Sequence, residues 1–186
     1  MSHADMILHD WALDDRCYAV RLGAALMGRR LTIHTTSEAA VQGPVLTGTD
    51  GTHRGPLAIL DFLARDTPWR VPTTSPWVTR ADEMLVTFSD LRRNALLASM
   101  PQTPNPPACR RLLRMIEDQL SAQRHAGSDW IAGPDASIVD IALFPVAALS
   151  HDLEVPHDLF PELRRFIRSF RALPGFITMP GIPEYH

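Results

Sequence analysis

Residues 130–146 constrain the fold of this chain most strongly, because they contain a helix start signal followed by an apolar run. Ser137 is the predicted N-cap. Asp140 is placed to accept a hydrogen bond from the Ser137 backbone N–H, as in a capping box. No Asp, Glu, Lys or Arg lies between Asp140 and Asp152. Because a helix that is apolar on nearly every side must be buried, we predict a central helix packed inside a helical bundle.

Composition excludes several classes of function. The chain has 186 residues, of which 45% are hydrophobic, enough for one domain or two small ones with a packed core. The net charge is −3 and no basic run exceeds an Arg-Arg pair, so nucleic acid is not an expected partner. Apolar runs fall short of the roughly 20 residues of a membrane span, and residues 1–5 lack a signal-peptide pattern. We therefore expect a cytoplasmic protein with no membrane partner.

The cysteines and histidines suggest neither a disulfide framework nor a metal site. Cys17 and Cys109 are the two cysteines, which is compatible with a reducing compartment. The eight histidines lack the spacing of metal ligands, so no metal is expected. Cys109 shares a helical face with apolar residues and is interpreted as a core residue.

Residues 1–66 are predicted to form a small α/β unit with the order β-α-β-β-β-α. Apolar runs predict strands at 6–8, 31–35 and 45–47, and Asp50-Gly51 predicts a turn into a fourth strand at 52–54. One helix is expected to begin after Asp14 and Asp15, either of which can cap it, and another to begin at Pro56.

The rest of the chain is predicted to be helical. Pro68, Pro72 and Pro76 punctuate a stretch with few apolar residues, which predicts a linker at 67–74. Helical spacing of apolar residues follows at 81–91, 109–120 and 163–170, besides the central helix. Pro145 predicts a kink or an early end of that central helix, because proline removes one backbone hydrogen bond. The arginines between 164 and 171 are expected to form a solvated face rather than an anion site.

Five segments together resemble the glutathione S-transferase (GST) superfamily. Residues 133–140 resemble the capping-box segment that starts the family's central helix, and four further segments resemble other family motifs in the same order: 8–22, 43–46, 58–63 and 173–176. The chain is identified as a shortened and divergent member. The resemblance implies an α/β plus all-α fold: a shortened thioredoxin-like domain at 1–66, a linker at 67–74 and an all-helical domain at 75–186. It also implies a homodimer and glutathione as a substrate.

The resemblance places Asp14 where the family has the Ser or Cys that acts on the glutathione sulfur. An ionised carboxylate only accepts hydrogen bonds and repels a thiolate, so Asp14 is expected to cap a helix rather than to activate a thiol. Cys17 occupies the second place of a Cys-x-x-Cys motif and is the other catalytic candidate. A packing role is favoured for it.

The glutathione site implied by the resemblance lacks several of the family's binding residues. Pro44 and Val45 match a segment in which the proline is cis and the next residue binds glutathione through its backbone. Gly55 and Pro56 stand where the family has an acidic residue and a serine, so both side-chain anchors are missing. Residues 36–43 are too few for the family's full second helix.

A substrate pocket is the remaining prediction about the site. Trp11, Trp77, Arg80 and Met84 are candidates to line an interdomain cleft that holds electrophiles, although core packing is the commoner role for such residues.

Three functions stay open at this point. The first is weak binding of glutathione or another small-molecule thiol with conjugation to an electrophile. The second is a non-catalytic GST-fold binding or scaffold protein, which the residues at 14, 55 and 56 favour. The third is thiol redox chemistry that depends on Cys17.

Overall fold

The computed structural model describes residues 6–72, 74–98 and 104–182, in which an α/β unit precedes a helical unit. The α/β unit contains β1 Ile7–Asp10, α1 Asp15–Leu26, β2 Thr32–Thr35, α2 Ser37–Gln42, β3 Val45–Gly48, β4 Gly51–Arg54 and α3 Pro56–Leu63. The helical unit contains α4 Pro76–Leu97, α5 Pro107–His125, α6 Ile138–Ala148 and α7 Pro161–Arg171, with short 3-10 turns at Ser150–Leu153 and His157–Leu159. The predicted fold class is confirmed, but the predicted order β-α-β-β-β-α of the first unit is corrected by the short helix α2 between β2 and β3. The exact domain boundaries stay predictions.

The four strands form one mixed sheet in the order β2-β1-β3-β4. β1 pairs with β2 in parallel and with β3 antiparallel, and β3 and β4 form a hairpin. β1 extends beyond the predicted apolar run through His9 and Asp10. Asp10 is tolerated at a buried strand end because Arg21 binds its carboxylate, with Nη1 2.5 Å from Oδ1. α2 has only six residues, in agreement with the shortened second helix expected from the sequence.

Helix α1 is buried on two sides and joins the two units. Val20 packs with Leu8 and Leu46 of the sheet in one apolar cluster. Tyr18 and Leu22 belong instead to the main core, which is formed largely by the helical unit. The Tyr18 hydroxyl also donates a hydrogen bond to the carbonyl of Ile177, at 2.7 Å. The α/β unit and the helical unit therefore share α1 as part of both cores.

The central helix α6 begins with the predicted capping box. The Asp140 carboxylate accepts the Ser137 N–H at 2.9 Å and the Ser137 hydroxyl at 2.7 Å. It also accepts the N–H of Ile131 at 2.8 Å, which fixes the approach loop to the helix. Every residue of α6 is buried, as expected. Of the predicted kink or early end at Pro145, the early end is wrong, because the helix continues to Ala148 and the Leu149 N–H bonds to the Pro145 carbonyl at 3.0 Å. The kink stays a prediction.

A buried carboxylate on α5 holds the start of α7. Glu117 accepts the backbone N–H groups of Glu162 at 3.1 Å and Leu163 at 2.8 Å. These N–H groups lie in the first turn of a helix, where they have no partner within the helix. Cys109 is fully buried on the same helix, which confirms its packing role. None of the described helices is long and apolar enough to cross a membrane.

Candidate functional site

Asp14 is the N-cap of α1, and its carboxylate is fully occupied. Oδ1 accepts the backbone N–H groups of Arg16 and Cys17, both at 3.0 Å, and Oδ2 lies 2.7 Å from Nη2 of Arg16. The residue is 7% exposed. The predicted capping role is confirmed. An ionised, paired carboxylate has no proton to donate, so Asp14 offers nothing that would stabilise a thiolate.

Arg16 fills the space between Asp14 and the turn that leads into β3. Its Nη2 donates to the carbonyls of Ala40 at 3.3 Å and Val41 at 3.4 Å. The guanidinium lies so close to Gly43 that a Cβ there would be 3.4 Å from Cζ. Sequence reasoning missed Arg16, because these contacts join residues 24 and 25 positions apart. Its side chain occupies part of the region between the start of α1 and Pro44.

The structure brings together the residues predicted to bind glutathione. The Gly55 N–H donates to the Pro44 carbonyl at 3.1 Å, and Val45 lies opposite Arg54 in the β3–β4 hairpin. Pro56 opens α3, and its N-cap Gly55 supplies no side-chain hydrogen bond. No peptide bond in the described ranges is cis, so the cis proline implied by the resemblance is corrected to trans at Pro44. The turn into β3 is made instead by Gly43, at φ +83°. Pro44, Val45, Gly55 and Pro56 themselves therefore offer a ligand only backbone polar groups.

Cys17 is an unfavourable redox group in this structure. The side chain is completely buried, and the Trp11 N–H points to its sulfur at 3.4 Å. Burial, with a smaller effect from the Asp14 charge, raises the pKa of the Cys17 thiol far above its usual value. Since the thiolate is the reactive form, the geometry favours the packing role over redox chemistry.

A cavity of about 250 Å³ lies between the start of α1 and the last turns of α4. We call it the interdomain cavity. Four of its apolar side chains are exposed to solvent: Trp11 by 36%, Leu13 by 51%, Leu96 by 57% and Leu97 by 77%. Its other lining residues are Asp14, Asp15, Ala40, Ser89, Arg92 and Arg93. A group of exposed apolar side chains around a concave site is typical of a surface that binds a ligand or a partner.

Only one of the four predicted pocket residues lines this cavity. Trp11 does, whereas Trp77, Arg80 and Met84 do not. Met84 is buried in the main core, and Arg80 lies over the ring of Trp77 at 5.4 Å. Arg92 follows Trp77 by 15 residues, which is about 22 Å along a helix. The predicted residues of α4 therefore lie away from this cavity, and their role in a substrate pocket stays a prediction.

Arg92 forms the polar wall of the interdomain cavity. Its guanidinium lies 2.6 Å from the Asp15 carboxylate and 2.7 Å from that of Asp152, and it donates to the Leu13 carbonyl at 3.2 Å. Burial raises the pKa of Asp15 to about 6, although the Arg92 charge acts in the opposite direction. Arg92 was also missed by sequence reasoning. The available signal was its place on the apolar stripe of α4, four residues after Phe88.

Among residues 6–72, 74–98 and 104–182, no group of three or more His, Cys, Asp or Glu could hold a metal ion.

Comparisons with known proteins agree with the observed architecture. Residues 107–169 match the family described as "Glutathione S-transferase, C-terminal domain". No curated protein sequence matched the chain. Among similar solved structures, a glutathione S-transferase from Xanthobacter autotrophicus Py2 has a TM-score of 0.74 and 22% identity, covering 95% of this chain and 98% of its own.

Two further structures show the same likeness. A glutathione S-transferase from Pseudomonas fluorescens has a TM-score of 0.71 and 18% identity, covering 94% of this chain and 98% of its own. A glutathione transferase homolog from Drosophila mojavensis, solved with bound glutathione, has a TM-score of 0.70 and 17% identity, with coverage of 92% and 89%. At these identities the likeness shows the fold.

Proposed function

The chain has the fold of the glutathione S-transferase superfamily, and from this premise we propose that it is a non-catalytic binding protein whose interdomain cavity holds a small apolar molecule. The observation that carries the proposal is the group of exposed apolar side chains around that cavity. The expected assembly is a homodimer in the cytoplasm, which follows from the resemblance and the sequence alone.

The charged groups of the interdomain cavity already have partners, which favours an apolar ligand. Asp14 is paired with Arg16, and Asp15 is paired with Arg92. Arg93, a member of the third ion pair at this wall, lies 2.7 Å from the carboxylate of Asp90. Asp90 itself does not line the cavity. A charged ligand would have to compete with these ion pairs. An apolar ligand would instead remove exposed apolar surface from water, at about 25 cal/mol per Å².

The same geometry argues against conjugation of glutathione. Catalysis of thiol addition needs a donor or a positive charge that favours the thiolate. The residue at the resembled position is Asp14, whose charge opposes a thiolate, and the nearest cation, Arg16, is paired with it. The protein thus retains the fold of the transferases with a changed first loop.

A neutral fluorescent probe tests the apolar ligand site. We expect phenylnaphthylamine to bind the protein, and Leu96→Ser to weaken that binding by about fivefold to tenfold, because one apolar wall contact is lost. Leu159→Ser is the matched control, since Leu159 is 60% exposed and lies outside this cavity. Fluorescence titration of the three proteins gives the comparison. Equal affinity in the Leu96 and Leu159 variants would contradict the proposed site.

Glutathione conjugation is the second candidate function. Two observations favour it: Pro44, Val45 and Gly55 lie together as the resemblance implies, and one similar structure contains bound glutathione. We expect calorimetric titration with glutathione up to millimolar concentration to show no measurable binding. We also expect no turnover of chlorodinitrobenzene above the uncatalysed rate. Binding together with turnover would replace the first proposal by this one.

A further inference from the structure

One face of the sheet is covered by α1 and α3, whereas the other is only partly covered by the six-residue helix α2. Leu8 and Leu46 point to the first face, where they pack with residues of both helices. Because side chains alternate along a strand, His9 and Thr47 lie on the second face. A cavity of about 430 Å³, which we call the sheet cavity, lies there between the strands and α2. It shares no lining residue with the interdomain cavity.

Two histidines meet in the sheet cavity. His9 of β1 and His34 of β2 are directly paired in the parallel ladder, although they are 25 positions apart in the chain. Their Nδ1 atoms lie 3.2 Å apart, and their ring centres lie 5.1 Å apart with the ring planes at 83°. Since neighbouring strands of one sheet carry the two rings, the backbone holds them together before any ligand binds.

The distances between the two rings match those of two nitrogen ligands on one tetrahedral metal ion. With metal–nitrogen bonds of about 2.0–2.1 Å, two ligating nitrogens of such an ion are about 3.3 Å apart. When the ion lies in the plane of each ring, the same bonds place the ring centres about 5.2 Å apart. Imidazole suits zinc and the other late divalent transition metals. The histidine pair therefore has the spacing that such an ion requires.

Thr47 favours the tautomer of His9 that such a site needs. The Thr47 hydroxyl donates to the Ile7 carbonyl at 3.4 Å, and its oxygen lies 3.5 Å from Nε2 of His9. This oxygen is therefore placed to accept the Nε2–H of His9, which leaves a free lone pair on Nδ1. The lone pair is on the nitrogen that faces His34.

We propose that His9 and His34 bind one divalent transition-metal ion such as Zn²⁺ through their Nδ1 atoms. The described ranges hold no group of three His, Cys, Asp or Glu ligands, so water completes the coordination. In the metal-free protein, His34 donates its Nδ1 proton to His9; on binding, His34 releases that proton to water and takes one at Nε2. Glu38 and Arg54 line the same cavity, and their opposite charges offset each other. This site reverses the expectation that the chain binds no metal.

Calorimetric titration of the tag-free protein with zinc chloride tests the site. We expect one ion to bind, and His9→Gln or His34→Gln to raise its dissociation constant at least tenfold, since even the loss of a group that only orients a ligand costs about 10–100-fold. His125→Gln is the matched control, because His125 is an exposed histidine of α5 outside the sheet cavity. Every sample also carries His3→Gln, so that this histidine, which lies outside the described residues, does not compete for zinc.

Nitrogen NMR of the histidine rings identifies the ligating atoms without a substitution in the site. We expect zinc to shift the Nδ1 resonances of His9 and His34. The other histidine pair, His151 and His157, should not respond. Its ring centres lie only 4.1 Å apart, and Nε2 of His157 is already 2.6 Å from the Ser150 hydroxyl.

Three results would overturn the proposal. The first is no measurable binding of zinc at millimolar concentration. The second is an equal loss of affinity in His125→Gln and His34→Gln. The third is a zinc response at His151 and His157 instead of the pair in the sheet cavity. Circular dichroism verifies that the variants keep their fold, and the NMR result stands on its own if one of them does not.

Discussion

Arg92→Leu is expected to lower the free energy of unfolding by about 3–5 kcal/mol, the cost of removing one partner of a buried ion pair. Arg92 is 5% exposed and binds two carboxylates and one carbonyl. Leucine fills part of the volume but replaces none of these contacts. Asp15, which is 1% exposed, would remain as a buried charge without its closest partner. Urea denaturation followed by circular dichroism measures the loss.

The loss should depend on pH through Asp15. Its pKa in the folded protein is about 6, above the ordinary 3.8. The folded state therefore binds this proton more tightly than the unfolded state, so the contribution of Asp15 to stability is greatest below pH 4 and declines as the pH rises through 6. Without Arg92 the pKa rises further. We expect the difference between variant and unmodified protein to be larger at pH 8 than at pH 5.

Arg93→Leu is the matched control for this prediction. Arg93 is the next residue of α4 and pairs with Asp90, a partner that is half exposed. An exposed pair of this kind contributes about 0–1 kcal/mol. The conclusion that the buried ion pairs of Arg92 stabilise the fold would be wrong if the two variants lost the same stability.

Asp140→Ala should have the second largest effect, a loss of about 3–4 kcal/mol. Asp140 is completely buried, and alanine would leave the N–H groups of Ile131 and Ser137 without acceptors. Each buried donor that loses its partner costs about 1–3 kcal/mol, and the lost cap adds to this cost.

Thermal unfolding measures this second effect. For a chain of this size, each kcal/mol shifts the melting temperature by about 2–4 °C, so we expect a decrease of about 10 °C. Asp135→Ala is the control, because Asp135 is an exposed residue of the same loop. An unchanged melting temperature in Asp140→Ala would show that the cap contributes little to stability.

The sequence predicted those site contacts that are local in the chain. Asp14 caps α1, and Ser137 pairs with Asp140, because both arrangements join residues two or three positions apart and follow general rules for helix starts. The contact between Asp140 and Ile131 spans nine positions, and that between Arg92 and Asp152 spans 60. Contacts of this range depend on how the helices pack, which capping rules do not describe.

Helical periodicity identified the buried face of α4 but not the turn of α4 that lies beside the cavity. The spacing of Trp77, Arg80 and Met84 on α4 was read correctly as helical. It did not indicate which turn meets the start of α1, and the cavity lies near Leu96 instead. Arg92 was the one residue of the sequence that indicated this turn. A charged residue on the apolar stripe of a helix requires a buried partner.

The position of α1 in both cores limits how a ligand can reach the interdomain cavity. Moving the two units apart would expose Tyr18 and Leu22, at about 1.5–3 kcal/mol for each large apolar side chain. A hinge motion between the units is therefore costly. Rotation of Trp11 and Leu97 costs less, because these two lining side chains are already partly in water. Ligand entry would then depend on side-chain rotation, while the two units keep their relative position.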